Sequence, residues 1–248
     1  MSSVVVEDFS YQYDQGNNAL SDINLSIAAG EKVCIAGPNG AGKSTLLHSL
    51  AGLIHGRGRI TVAGASLHKD DKQHGPELSR LGLVFQNPDD QLFCTTVGED
   101  VAFGPRNQKL SKDIVTERVA QSLDLVGLRG FEDRHPHHLS LGEKKRAAIA
   151  AVLACRPEIL ALDEPWANLD AHASRSVSSI LKNFPGTVIV ISQELYHATS
   201  VCERMILLDR GQIIADGELR KLLAQADIRE YFSLNNQDIC PVCQSRIE

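Results

Sequence analysis

Gly37-Pro38-Asn39-Gly40-Ala41-Gly42-Lys43-Ser44-Thr45 fits the pattern G-x-x-x-x-G-K-[ST] of a phosphate-binding loop. Its flanks supply the context the motif requires. Val33-Cys34-Ile35-Ala36 reads as a short buried strand, and residues 44–53 read as a helix with Leu46, Leu47 and Leu50 on one face. Glycine has no Cβ, so Gly37, Gly40 and Gly42 let the backbone curl and turn its N–H groups toward the β- and γ-phosphates of a nucleotide. The following helix adds the positive end of its dipole. Lys43 adds a point charge, Ser44 a hydroxyl for Mg²⁺, and Thr45 a hydrogen bond to phosphate oxygen.

Upstream of the loop, a β-branched run near Val4 is followed by Ile23-Asn24-Leu25-Ser26-Ile27, whose alternation predicts a half-buried antiparallel strand. Tyr11 and Tyr13 lie between these strands. One of them can stack on a nucleobase, or both can pack on the sheet, and the segment alone leaves both readings open. Downstream, residues 59–62 form a short strand, 65–78 a polar surface loop, and 81–85 a buried strand ending at Gln86. From Asn87 the composition shifts. Asn87-Pro88-Asp89-Asp90-Gln91-Leu92-Phe93 is turn-rich, and 97–155 reads mainly as helices, with Val115, Val119, Leu123 and Val126 at helical spacing behind an expected N-cap at Ser111. An inserted helical subdomain over about 87–156 is the expectation.

Leu139-Ser140-Leu141-Gly142-Glu143 then opens an alanine-rich helix, and Ser140 and Glu143 have capping-box spacing, which makes that helix end attractive to anions. Ile159-Leu160-Ala161-Leu162 is apolar throughout, as a central parallel strand should be, and it delivers Asp163-Glu164 to its C-terminal end, where open α/β sheets hold ligands. Asp163 is placed to hold Mg²⁺ and Glu164 to orient or deprotonate an attacking water; the bland alternative is a pair of strand-end carboxylates capping the next helix. A helix over 171–182, a strand over 187–192, a helix over 194–203 and a hairpin over 205–214 complete an α/β core.

The 248 residues suffice for one large domain or two small ones. A net charge of −6 gives no electrostatic case for a nucleic-acid partner, and none is expected. The longest apolar run, 147–155, is far below a bilayer span, and Met1-Ser2-Ser3-Val4 carries no secretory signal, so a cytoplasmic protein is expected. Cys34, Cys94, Cys155 and Cys202 are scattered among apolar segments, as buried thiols of a reducing compartment would be.

Five motifs thus stand in a fixed order over about residues 3–225, and together they resemble the ATP-binding-cassette (ABC) ATPases: the phosphate loop, the glutamine loop at Gln86, the signature 139–143, the second acidic motif 159–164, and the dimer loop Asn168-Leu169-Asp170. The resemblance implies an α/β fold, a P-loop NTPase (RecA-like) core with an N-terminal antiparallel β subdomain and the inserted helical subdomain, in one ABC ATPase domain over 1–232 followed by a tail over 233–248. It implies ATP and Mg²⁺ as ligands, the metal held by Ser44, Gln86 and Asp163, and adenine stacked on Tyr13. Two cassettes, identical or not, would face each other head to tail, each ATP lying between one phosphate loop and the other subunit's Ser140, Gly142, Glu143 and Asp170. The finer likeness, through Leu83-Val84-Phe85-Gln86-Asn87-Pro88-Asp89-Asp90-Gln91-Leu92-Phe93, Asp100-Val101-Ala102-Phe103-Gly104-Pro105 and Glu143-Lys144-Lys145-Arg146, is to energy-coupling-factor ATPases of cobalt and nickel importers. That subtype implies a transmembrane coupling protein contacted near 86–93, a separate membrane subunit that binds the substrate, and a place on the cytoplasmic face of the membrane.

Two positions depart from the family pattern. Leu141 stands where a glycine is usual, which is harmless only if its φ is negative. Gln193 stands where a histidine contacts the γ-phosphate; the amide keeps a donor and an acceptor but carries no charge, and His197, about one helical turn on, is not expected to substitute. A weakly hydrolysing regulatory cassette and a soluble cassette outside transport are therefore the rival readings. His135-Pro136-His137-His138 is a candidate loop for Ni²⁺ or Co²⁺. Cys240 and Cys243 form half of a zinc ribbon, which two tails would complete across a dimer, or else a redox pair or a plain tail.

Overall fold

The β-branched run near the N-terminus forms strand β1 (Ser2–Gln12) in the computed structural model, which describes residues 2–13, 16, 18–67 and 80–232. Cys240 and Cys243, and most of the loop expected over 65–78, lie outside the described residues. The alternation in β2 (Asn18–Ala28) puts Ile23, Leu25 and Ile27 on one face, and pairing of Val4 with Ile27 and Val6 with Leu25 aligns them with the buried side of β1. The other edge of β1 pairs antiparallel with β4 (Arg57–Val62), and β5 (Ala65–Ser66) ends the sheet, in the order β2-β1-β4-β5.

The apolar runs form the second sheet: β3 (Lys32–Ala36), β6 (Leu81–Val84), β7 (Ile159–Asp163), β8 (Thr187–Ile191), β9 (Arg204–Asp209) and β10 (Gln212–Glu218), in the order β10-β9-β3-β8-β7-β6. All neighbours are parallel except β9 and β10, whose turn at Arg210 and Gly211 has φ of 46° and 76°, the left-handed pair that a two-residue hairpin demands. Both faces are covered, so side chains alternate between two clusters rather than between core and water. Val33, Ile35, Ile159, Ala161, Ile189 and Ile191 face the antiparallel sheet and helix α1 (Lys43–Leu50). Cys34, Ala36, Leu160, Leu162, Val188 and Val190 face the helices α2 (Val97–Asn107), α3 (Lys112–Leu125), α4 (Leu141–Leu153), α5 (Ala171–Asn183) and α6 (Leu195–Val201). Short helices α7 (Leu219–Ala224) and α8 (Ala226–Tyr231) follow the hairpin.

The architecture is that expected: a P-loop NTPase core, an antiparallel β sheet and a helical region. Two local expectations change. Helix α1 begins at Lys43, after an N-cap at Gly42 with φ 101°, and it ends at Leu50. Ser111 is the N-cap of α3, as expected, though without a side-chain bond; Thr96, not singled out in the sequence, caps α2 through the Glu99 N–H at 3.2 Å. Of the four scattered cysteines only Cys34 and Cys202 are buried; Cys94 and Cys155 are half-buried. Among the described residues no helix is long and apolar enough to cross a membrane.

Candidate functional site

The phosphate loop begins where β3 ends, and two of its glycines are fixed by close backbone approach. A Cβ on Gly37, at φ 146°, would meet the Leu208 carbonyl, and one on Gly42 would meet that of Ala19. The fold thereby turns Lys43 inward: it is buried, and its Nζ donates to the carbonyls of Gly37 at 2.9 Å and Pro38 at 3.0 Å. Burial pulls the Lys43 ammonium below its ordinary value, against the opposing charges of Glu164 and Asp163. A polyphosphate can take over these bonds with an ionised acceptor, which is the stronger partner.

Above the loop lies a cleft of about 370 Å³ at the C-terminal ends of β3, β7 and β8. Asn39, Gly40, Gly42, Lys43, Ser44 and Thr45 line it from one side, and Gln86, Asp163, Glu164 and Gln193 from the other. Pro38 and Ala41 stay outside the lining; Ala41 is buried and accepts the Gly211 N–H at 2.9 Å, pinning the loop to the β9–β10 turn. The structure divides the roles of the tyrosines. Tyr13 lines the cleft, half-exposed, with its hydroxyl 3.1 Å from Thr45 Oγ1, while Tyr11 packs on the antiparallel-sheet cluster. Asn18, Ala19 and Ile191 also line the cleft. No short motif marks them, since they arrive there by backbone pairing.

Glu164 is held in an unusual way. Its φ is 44°, in the left-handed region, and its N–H donates to the Ile191 carbonyl at 2.9 Å, tying the turn to β8. The side chain is buried; Oε2 accepts the Gln193 N–H at 3.3 Å and Oε1 has no protein partner. Burial pushes its carboxyl above the usual carboxylate range, opposed by the Gln193 N–H and the Lys43 charge. A carboxylate with an unpartnered oxygen, on a residue lining a cleft beside a phosphate loop, can accept a proton. Gln193 reaches across the cleft: its Nε2 donates to Asn39 Oδ1 at 2.7 Å. His197 does not line the cleft; it stacks on Trp166 at 5.8 Å and lies 3.8 Å from the Glu194 carboxylate. Ser44, Gln86 and Asp163 offer oxygen donors only, a set that suits a hard cation such as Mg²⁺.

The remaining predicted residues lie elsewhere on the surface. At the start of α4 the capping box is complete: Glu143 Oε2 accepts the Ser140 N–H and hydroxyl, both at 2.8 Å, and the Glu143 N–H returns to Ser140 Oγ at 3.3 Å. These bonds hold the Glu143 carboxyl below its usual range. Leu141 is exposed and has no positive φ, so it is tolerated in place of glycine. A Cβ on Gly142 would come within 2.8 Å of Ala173, which packs the end of α4 against α5; Asp170 caps α5 through the Ala173 N–H at 2.7 Å. Ser140, Gly142, Glu143 and Asp170 do not line this chain's own cleft. The histidine loop is corrected as a metal candidate: His135 Nδ1 accepts the His137 N–H at 3.3 Å, and among the described residues no group of three or more His, Cys, Asp and Glu converges on a metal position.

Comparison with known proteins bears on this geometry. A family profile described as ABC transporter matches residues 20–167. A Gloeobacter violaceus protein, named only for an ABC transporter ATP-binding role, is 45% identical over 93% of this chain and 95% of its own length. The energy-coupling factor transporter ATP-binding protein EcfA of Methanothermobacter thermautotrophicus is 43% identical over 93% of this chain and 76% of its own. Among solved structures, cbiO1 of Clostridium perfringens, part of the ABC transporter complex cbiONQ, superposes with a TM-score of 0.83 at 32% identity over 99% of this chain and 98% of its own. The ATP-binding cassette MJ0796, solved as a dimer in a post-hydrolysis state with ADP and phosphate, gives a TM-score of 0.77 at 28% identity over 87% of this chain and 98% of its own.

Proposed function

The chain belongs to the ABC transporter family of ATPases, and on that premise we propose that it is the ATP-hydrolysing subunit of an energy-coupling-factor importer for cobalt or nickel ions. The convergence of Lys43, Ser44, Asp163 and Glu164 on one cleft carries the hydrolytic part of this reading. Lys43 and the N-terminal amides of α1 bind the β- and γ-phosphates, and Tyr13 stacks on adenine. Mg²⁺, held by Ser44, Gln86 and Asp163, neutralises phosphate charge when bound. The Glu164 carboxylate takes the proton of the attacking water, and the Gln193 amide steadies the γ-phosphoryl group. Ser140 and the Gly142 amide at the start of α4 complete the second copy's site across a head-to-tail dimer, with Asp170 at the junction.

The importer subtype is supported by relatives named EcfA and by the likeness to cbiO1. It is also supported by a groove of about 360 Å³ beside the glutamine loop, where Phe93 and Phe103 stand exposed with their rings edge to face at 5.0 Å. Gln91 shapes this groove: its Oε1 accepts the Phe85 N–H at 3.2 Å and its Nε2 donates to the Ala148 carbonyl at 3.3 Å, clamping the segment to α4. An apolar helix of a transmembrane coupling protein fits such a surface. The chain would then act at the cytoplasmic face of the membrane, beside a separate substrate-binding subunit.

The test is steady-state ATP hydrolysis of the purified chain over a protein concentration series, with Glu164→Gln and Gln193→His beside the parent. A rate that rises faster than linearly with protein and vanishes in Glu164→Gln is the expected result. The Gln193–Asn39 hydrogen bond favours one second reading, a nucleotide-sensing cassette. Under it the parent is as inert as Glu164→Gln, and Gln193→His restores turnover.

A further inference from the structure

Lys145, in the second turn of α4, is buried, and its Nζ donates to the backbone carbonyl of Glu164 at 2.8 Å. Its surroundings are acidic, with Glu164, Glu194 and Asp163 all acting on its charge. Burying an ammonium is costly, and an aliphatic side chain of similar volume would fill the same space without that cost. The carbonyl it holds belongs to the most constrained residue of the cleft.

Glu164 combines a φ of 44° with a following Pro165, and a residue before proline is normally held to the extended region. Strain of this kind persists only where the surroundings over-determine it. Pro165 has no N–H, so the 164–165 peptide can be fixed only through its carbonyl. Two donors do so: the Ala167 N–H at 3.2 Å, within the same turn, and Lys145 at 2.8 Å, from a different helix. The lysine bond is the charge-assisted one and the one that anchors the turn to the rest of the fold. The adjacent Lys144 pairs with Asp89 at 2.6 Å, so consecutive lysines of α4 grip the segment leading to Phe93 and the turn that carries Glu164.

We infer that Lys145 is a positioning residue for hydrolysis, holding the Glu164 peptide so that the carboxylate faces the cleft. The inference rests on the reading of Glu164 as the proton acceptor. Its test uses the full chain and compares Lys145→Met, Lys145→Gln, Lys145→Arg, Glu164→Gln and the double variant Lys145→Met/Glu164→Gln. The readouts are kcat, KM for ATP, binding of a fluorescent ATP analogue, and thermal melting.

Misplacing a reacting group by about 1 Å costs up to about 10²-fold in rate, so kcat of Lys145→Met should fall on that order while KM, analogue binding and the melting temperature stay near parental. Lys145→Arg should regain much of the rate. The double variant should be no slower than Glu164→Gln alone, because a residue acting through another adds nothing once that other is gone. If Lys145→Met does not fold, Lys145→Gln carries the same expectation. Parental kcat in folded Lys145→Met or Lys145→Gln, or a fall in kcat matched by lost analogue binding and melting temperature, overturns the inference while leaving Glu164 as the proton acceptor. Undiminished turnover in Glu164→Gln removes that reading and the inference with it.

Discussion

Replacing Glu164 by glutamine should abolish hydrolysis and at the same time stabilise the nucleotide-free chain. The carboxylate is 8% exposed, one oxygen has no partner, and the other accepts a single 3.3 Å bond. An unsatisfied buried acceptor costs about 1–3 kcal/mol, more when ionised, and attraction to Lys43 offsets part of it here. The amide keeps the shape and still leaves one polar atom without a partner, so only the extra cost of the charge is removed. Taken as about 1 kcal/mol, that gain corresponds to a rise of about 2–4 °C in melting temperature for a chain of this size.

The assay is thermal melting of parent and variant, without nucleotide, from acid to neutral pH. Because burial raises the Glu164 pKa, the folded state holds the proton more tightly than the unfolded chain does. Its contribution is complete below the unfolded value near 4.5 and is lost as pH rises through the higher folded value. The two melting temperatures should therefore converge in acid and separate toward neutral pH, with the variant higher. Equal melting at neutral pH, or a gap that persists unchanged in acid, would refute the reasoning.

Gly42→Ala should lose nucleotide binding and about 2 kcal/mol or more of stability in urea melts, since φ is 101° and the new Cβ meets the Ala19 carbonyl. Paired Phe93→Asp and Phe103→Asp changes should leave turnover of the isolated chain intact and prevent co-purification with co-expressed membrane subunits. Glu143→Gln should weaken the start of α4 at neutral pH. Bonds to Ser140 depress the Glu143 pKa, so its contribution is present above the unfolded value and fades as pH falls, and the melting difference from the parent should shrink in acid.

The phosphate loop, the apolar strand ending in Asp163 and Glu164, the capping box at Ser140 and the hairpin at Arg210 and Gly211 were legible in the sequence. Each is written in residues a few positions apart whose chemistry admits few alternatives. The strand order was not, because β3 finds its neighbours β8 and β9 more than 150 residues away. Contacts between distant segments were equally hidden: Gln193 reads as a departure from a family pattern, but its grip on Asn39 exists only once β8 lies beside the loop. Lys145 reads as one more charge in a lysine-rich helix until folding buries it against Glu164. Helices α7 and α8 are each six residues long, too short for periodicity to announce them.

The parallel sheet, with one cluster on each face, also has a meaning for how such a chain can change over generations. Substitutions in α2 or α3 fall on the cluster with Cys34 and Leu162, and those under the antiparallel sheet on the cluster with Ile35 and Ile159. Effects of changes without shared partners add nearly independently. Lineages can therefore remodel the helices around the aromatic groove while the packing beneath the phosphate loop stays as it was.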